Sequence, residues 1–384
     1  MKKKLIVLSA GFALFSMFFG SGNLVFPLLV GQESGGHYLL ASLGIIFTGV
    51  MVPFLGLLGV MLCGGSLKEF FSPLGKMATF VFSFIALSLM GPFGVLARCF
   101  TVAHGAIQTI FPVVPLAVTS FCFCALIYLM TIKRNKIVST LGSYLTPLLL
   151  ISIGAIAFFA FKETSVDVMS AAVVDVSAWS SFKNGFFQGY QTMDLLAAFF
   201  FSSFIINHLQ SVRAEEASEK SSLKIFLRSS YVGGGLLAVV YFVLVVLGSL
   251  YAPSLGGLLP QDMLGHIALK TLGSMGAPCL CLVVVLACLT TAVVLTSLFA
   301  DFLRKEVLKE KIGNSQALLI TLGIGFLVSI LGFSAIARFL GPVLELIYPA
   351  LIVLTIVNIS HKFFGVKNSH WPVTLTLAAK IYMG

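Results

Sequence analysis

Charge is scarce in this chain of 384 residues: Asp, Glu, Lys and Arg together make up only 10%. A soluble domain carries roughly a quarter charged residues. A water-soluble enzyme, a disordered chain and a nucleic-acid-binding module are therefore excluded as primary readings. Histidine is also sparse. The six residues, His37, His104, His208, His266, His361 and His370, lie in loops or at the ends of apolar runs and form no H-x-x-x-H pair. The seven cysteines (63, 99, 122, 124, 279, 281 and 288) make no C-x-x-C, and the two C-x-C pairs point to different sides of a helix. Neither zinc nor a disulfide framework is supported, and these cysteines read as small apolar fillers. A membrane-embedded enzyme would need a nucleophile with its base, or a metal-ligand cluster, on facing helices. Rings of charge or a repeated filter, as a passive channel would need, are absent from the sequence. No cofactor is expected.

What fills the sequence instead is apolar: 58% of residues, with a mean hydropathy of +1.05. A helix needs about 20 mainly apolar residues to cross the bilayer core. Ten runs meet that test: 5–31, 38–62, 77–104, 112–131, 139–161, 183–208, 229–252, 277–300, 316–333 and 341–360. An eleventh begins near Trp371 and is short of a crossing at Gly384. The stretch after Met1-Lys2-Lys3-Lys4 is too long for a signal-peptide core and has no A-x-A site, so it reads as an uncleaved first span.

The net charge of +10 reflects topology rather than nucleic acid. Alternate loops carry 18 basic residues on one side (Lys2–Lys4, Lys68, Lys76, Lys133, Arg134, Lys136, Arg213, Lys220, Lys224, Arg228, Arg304, Lys305, Lys309, Lys311, Lys362, Lys367) and 4 on the other (Lys162, Lys183, Lys270, Arg338). Positive charge stays inside, so the expectation is a multi-pass protein of a bacterial inner membrane with its N-terminus in the cytoplasm. The segment 162–182, with Glu163, Asp167 and Asp175, becomes an external acidic loop, and 253–276 a second external or re-entrant segment. Trp179 and Trp371 fall at span ends, where amphipathic rings prefer to sit.

Two spans carry interruptions. Span one holds Gly20-Ser21-Gly22-Asn23 at mid-depth, followed by Pro27; span six holds Gly185, Gly189 and Tyr190-Gln191-Thr192-Met193-Asp194. The two lie five spans apart and so enter the membrane from opposite sides. Unwound backbone in lipid must face protein, water or ligand, and matched breaks in two oppositely oriented halves point to a transporter's binding site. Freed N–H groups suit a carboxylate and freed carbonyls a cation. Span eight adds Ala287-Cys288-Leu289-Thr290-Thr291 near its middle, hydroxyls able either to bond back to a carbonyl or to ligate a hard cation. Among ionisable residues at depth, Asp194 sits in the span-six break and reads as a ligand neighbour or gate; Arg98 follows the Gly91-Pro92 break in span three, and Glu345 is shallow in span ten. His104 and His208 read as interfacial.

With these strings the sequence resembles the branched-chain amino acid:cation symporter family, the bacterial BrnQ-type carriers. The resemblance runs from Gly11 to about Ser360 and rests on Phe18 to Pro27, Leu145-Thr146-Pro147, Gly189 to Ala198, Ala287 to Thr291 and Ile347-Tyr348-Pro349. It implies an all-α LeuT-like fold of five plus five inverted spans, with repeats at 1–161 and 162–360. It also implies Na⁺-driven symport of leucine, isoleucine and valine by alternating access, or, as the alternative, H⁺ coupling or another neutral amino acid on the same fold. Carried onto this chain, Na⁺ would lie among the carbonyls of Ser16, Phe19 and Ala287 and the hydroxyls of Thr290 and Thr291. The amino-acid head group would lie against Gly20, Ser21, Gly22, Asn23, Gly189, Tyr190, Gln191 and Thr192. Departures concern span three, where the family usually has Pro-Arg-Thr and this chain has Ala97-Arg98-Cys99, and where a family Glu is replaced by Gly105. The family also typically has about twelve spans.

Overall fold

The structure, a computed structural model, describes residues 2–132, 137–163, 176–211, 219–365 and 371–383. The loop cations Lys133, Arg134, Lys136, Arg213 and Lys367, the loop acids Asp167 and Asp175, and His370 lie outside the described residues, as do the side chains of Thr146, Glu163, His208 and Lys220. Every regular element is helical, with no strand among the described residues.

The long apolar runs become helices because no other conformation pairs every backbone group within one segment in lipid. Among the described residues, five helices are long and apolar enough to cross unaided: Tyr38–Leu62, Lys76–Ile110, Lys224–Leu250, Gly276–Val307 and Phe333–Phe364. A sixth crossing is a broken pair, Val7–Phe18 and Ser21–Gln32, bent by 75°. Leu116–Ile132, Pro147–Lys162 and Asn314–Ser329 are shorter apolar helices. Span six is also two helices, Ala178–Gln191 and Asp194–Ser211. The Trp371–Met383 helix packs on span ten.

The packing carries the inversion. Span one lies against span seven, and span six lies in the matching way against span two. Spans three and eight, which exchange under the same operation, pack directly on each other. Without a hydrophobic force between helices in lipid, such contacts rely on small residues that let backbones close up. A Cβ built on Gly185 of span six would fall on the carbonyl oxygen of Ala41 in span two. On the opposite side of the inversion, a Cβ on Gly11 of span one would come within 2.6 Å of the Val232 side chain in span seven.

Several details differ from the sequence expectation. Span two contains a π-bulge at Phe47–Met51. Span three is interrupted where the sequence placed its Gly91-Pro92 break, with Lys76–Met90 and Val95–Ile110 flanking Gly91–Gly94. His104 is not interfacial: it lies within the second of these helices, 8% exposed, its Nδ1 3.1 Å from the Thr119 hydroxyl. A neighbouring hydroxyl satisfies the imidazole in place of interfacial water. The segment after span seven folds back over the bundle as a turn at Pro260–Asp262 touching spans one, three and ten. A helix from Met263 follows, broken at Gly273 (φ 67°) before span eight.

Candidate functional site

The two broken spans place their breaks against each other. In span one the helix stops at Phe18 and restarts at Ser21. The Gly20 N–H, which a continuous helix would give to the carbonyl four residues back, is donated to Asn23 Oδ1 at 3.1 Å. Asn23 thus stabilises the break with its side-chain oxygen and turns its amide nitrogen outward. In span six the break falls at Thr192–Met193, and Met193 adopts φ 60°, a left-handed conformation unusual for a residue with a side chain. The Thr192 hydroxyl donates to the Gly189 carbonyl at 2.9 Å, and Asp194 begins the second half-helix.

Across the gap, Asn23 Nδ2 donates to Asp194 Oδ2 at 2.7 Å and to the Tyr241 hydroxyl at 2.6 Å. Tyr241, from span seven, donates in turn to Asp194 Oδ2 at 2.9 Å. All three side chains are buried. Asp194 has hydrogen-bond donors but no ion pair; among the described residues the single salt bridge is Lys362–Glu69, at the surface. Buried charges are ordinarily paired, so a carboxylate in this setting calls for a proton or a cation. The span-two bulge lies directly alongside. A Cβ on Gly49 would meet the Tyr241 ring at 2.9 Å, and Thr48 donates to the Phe186 carbonyl at 2.7 Å.

Span eight faces the same break from the other side. The Thr291 side chain lies 3.6 Å from the Cβ position of Gly20. Thr290 donates its hydroxyl to the Ala287 carbonyl at 2.9 Å, so these two oxygens lie side by side. Ser16 precedes the break in span one, and the buried Phe19 lies within it. A hard cation takes oxygen ligands, and carbonyl and hydroxyl oxygens are the donors these positions supply. Cys99 of span three lies 3.5 Å from the Ser21 hydroxyl, joining span three to the first turn after the break.

Arg98 is 1% exposed and reaches span six. Its Nη1 donates to the Gln191 carbonyl at 2.7 Å and its Nη2 to Gln191 Oε1 at 2.6 Å. Phe26 and Phe333 flank the guanidinium, with ring centroids 5.0 and 5.6 Å from Cζ. Gln191 Nε2 passes the link on to the Ala337 carbonyl of span ten at 3.2 Å. Gly20, Ser21, Gly22, Asn23, Gly189, Tyr190 and Thr192 are all buried around the breaks, and Gln191 is half-buried. Glu345 is not part of this cluster and is exposed.

Sequence reasoning did not single out Tyr241, Thr48 or the aromatic pair around Arg98. A Tyr inside an apolar run reads as core, and the bulge in span two has no sequence mark. Gly105 offered a signal in retrospect. A Cβ there would meet Asp262 Oδ1 at 2.6 Å and the Gln261 carbonyl at 2.8 Å. Where the family resemblance expects a Glu on span three, the Pro260–Asp262 turn brings its own carboxylate. Burial pushes the Asp262 carboxyl up to about 6.

Broken helices that meet at a buried polar cluster inside a multi-pass helical bundle fit a membrane transporter rather than an enzyme. Solved structures agree on the fold. The chain is similar to MhsT in complex with L-phenylalanine (TM-score 0.62, 17% identity, 97% of this chain and 95% of that one). It is similar also to Mhp1 in an inward-facing conformation (TM-score 0.58, 13% identity, 94% and 77%). At the level of sequence, residues 2–383 match the family model described as branched-chain amino acid transport protein, and the chain belongs to that family. Its relatives include the branched-chain amino acid permease BrnQ of Escherichia coli strain K12, 29% identical over 93% of this chain and 81% of that one. Another is the branched-chain amino acid transport system 3 carrier protein of Pseudomonas aeruginosa, 29% identical over 91% and 79%.

Proposed function

We propose that this protein imports leucine, isoleucine and valine across a bacterial inner membrane by Na⁺ symport with alternating access. The N-terminus faces the cytoplasm, in keeping with the 18-to-4 bias of basic loop residues. The observation that carries the reading is the meeting of the two breaks, with Asn23, Asp194 and Tyr241 hydrogen-bonded across them. Thr291 lies against the same break from span eight. Na⁺ held by the carbonyls of Ser16, Phe19 and Ala287 and the hydroxyls of Thr290 and Thr291 would fix the bend of span one. The amino-acid site at Gly20 to Asn23 and Gly189 to Thr192 shares that bend, so one ligand organises the backbone that the other needs. Rocking of the bundle spans against their neighbours then exposes the pair to the cytoplasm.

Such coupling is reciprocal: Na⁺ tightens leucine binding by the factor with which leucine tightens Na⁺ binding. Leucine affinity of the purified protein, measured in Na⁺ and in choline buffers of equal ionic strength, tests this. Tighter binding in Na⁺ is expected, and equal affinity rejects the Na⁺ site. A second reading rests on Asp194, whose buried carboxylate has no basic partner among the described residues. It makes H⁺ the coupling ion, carried on that carboxylate. Leucine uptake that responds to an imposed pH gradient and not to Na⁺ would select it.

A further inference from the structure

Arg98 presents a charge imbalance that the site does not resolve internally. Its guanidinium is 1% exposed, within the helical bundle, and has no carboxylate within ion-pair distance among the described residues. Both observed bonds go to neutral oxygens of one residue, Gln191. A guanidinium carries five N–H donors in a planar fork. One N–H each of Nη1 and Nη2 is taken by Gln191. Nε is not engaged: it is buried and has no hydrogen-bond partner. Leaving a buried charged donor unmade costs more than a typical hydrogen bond supplies, so the Nε edge is poised for an acceptor.

The acceptor best matched to a guanidinium edge is a carboxylate, which takes two parallel N–H bonds and cancels the charge. Asp194 does not fill that role, since its hydrogen-bond partners are Asn23 and Tyr241. The neighbouring residue in span three, Cys99, touches Ser21 at the first turn after the span-one break. Gln191 lies within the span-six segment proposed above to meet substrate. Arg98 therefore stands beside both breaks. The Phe26 and Phe333 rings cover it, which strengthens any bond it makes by excluding water.

We propose that the Nε edge of Arg98 receives the α-carboxylate of the transported amino acid, while Gln191 holds the other edge and orients the guanidinium. This deepens the transport reading and rests on it. Arg98 is a substrate-binding residue and Gln191 a positioning residue. Without Arg98 the site loses its means of telling a carboxylate from an uncharged group.

The test is binding of L-leucine and of L-leucinamide, which keeps the ammonium group and side chain but lacks the carboxylate. Both are measured on the purified full chain by ligand-induced thermal stabilisation and by competition with labelled leucine. Wild type is expected to prefer leucine by roughly a hundredfold, as sites built to bond a group reject analogues without it. In Arg98→Gln the preference collapses to within about threefold, mainly through lost leucine affinity. Arg98→Lys, which keeps the charge without the fork, retains an intermediate preference. Gln191→Ala binds leucine more weakly but still discriminates. Wild-type discrimination surviving in Arg98→Gln overturns the proposal. So does Gln191→Ala losing discrimination as fully as Arg98→Gln, since Arg98 would then act only by pinning span six. Should Arg98→Gln fail to fold, Arg98→Lys and Gln191→Ala decide by the same criteria. Absence of binding by leucine, isoleucine and valine to wild type sinks the transport reading instead, and the carboxylate preference is then read on whichever amino acid binds.

Discussion

Asn23 and Asp194, 171 residues apart in sequence, are joined by a 2.7 Å hydrogen bond where the two broken helices meet. One amide ties the two halves of the protein together. Its oxygen holds the Gly20 N–H that the break in span one releases, and its nitrogen holds the first residue after the break in span six. A change at either break is therefore transmitted to the other through a single side chain, which is what coupling an ion to a substrate requires.

Asp194→Asn keeps the shape of this link while removing the charge. With H⁺ as the coupling ion, the variant binds leucine yet loses proton-driven uptake. With Na⁺ as the coupling ion, uptake falls but keeps its Na⁺ dependence. Uptake in proteoliposomes under separate Na⁺ and pH gradients distinguishes the two. Wild-type transport by the variant under either gradient would show that the carboxylate has no part in coupling.

Thr291→Ala removes the hydroxyl beside Gly20, and Thr290→Ala the one beside the Ala287 carbonyl. Each is expected to raise the Na⁺ concentration for half-maximal uptake by roughly tenfold, the loss of about one charge-assisted contact. Leucine affinity at fixed Na⁺ should fall with it, by linkage. An unchanged Na⁺ dependence in both variants would remove these residues from the ion site.

Gly185→Leu forces a side chain onto the Ala41 carbonyl and separates spans six and two. Overpacking of this kind costs about 1–3 kcal/mol, so the melting temperature of the detergent-solubilised protein should drop clearly. Gly154→Ala, in span five, meets nothing within 4 Å and serves as the matched control. Its melting temperature should be unchanged or slightly higher, because Ala suits a helix interior better than Gly.

The Pro260–Asp262 turn predicts a pH effect. Burial raises the Asp262 carboxyl from 3.8 to about 6, so the docked turn favours the protonated acid. A carboxyl raised in the folded state binds more protons there than in the open one between those two values. Docking of Pro260–Asp262 on span three is therefore tightest below pH 4 and weakens as pH rises to about 6. Hydrogen exchange of residues 258–265, corrected for the intrinsic pH dependence, should show protection falling across that window. Asp262→Asn should flatten the profile. Protection that rises with pH would contradict the assignment.

The fold was legible in the sequence to an unusual degree, because a membrane span announces itself by length and apolarity and a break in lipid needs conspicuous residues. Gly20 to Asn23 and most of Gly189 to Asp194 are polar or small within mainly apolar runs, and the structure brings both stretches together. Tyr241 was not legible. Its ring belongs in an apolar run, and only the fold reveals that its hydroxyl points at Asp194. His104 was misplaced because a polar residue near the end of an apolar run looks interfacial. The helix in fact continues to Ile110, and Thr119 from the next span satisfies the ring. Gly105 could be seen as a departure but not explained, since its counterpart Asp262 arrives from a loop more than 150 residues later.

The most direct test of the central claim is uptake of labelled leucine into proteoliposomes containing the purified protein, with an inward Na⁺ gradient or choline in its place. Each of the twenty amino acids is supplied as competitor. The account predicts accumulation that requires the Na⁺ gradient and is competed selectively by leucine, isoleucine and valine. Accumulation indifferent to Na⁺, or competition that spares isoleucine and valine while responding to unrelated amino acids, would contradict it.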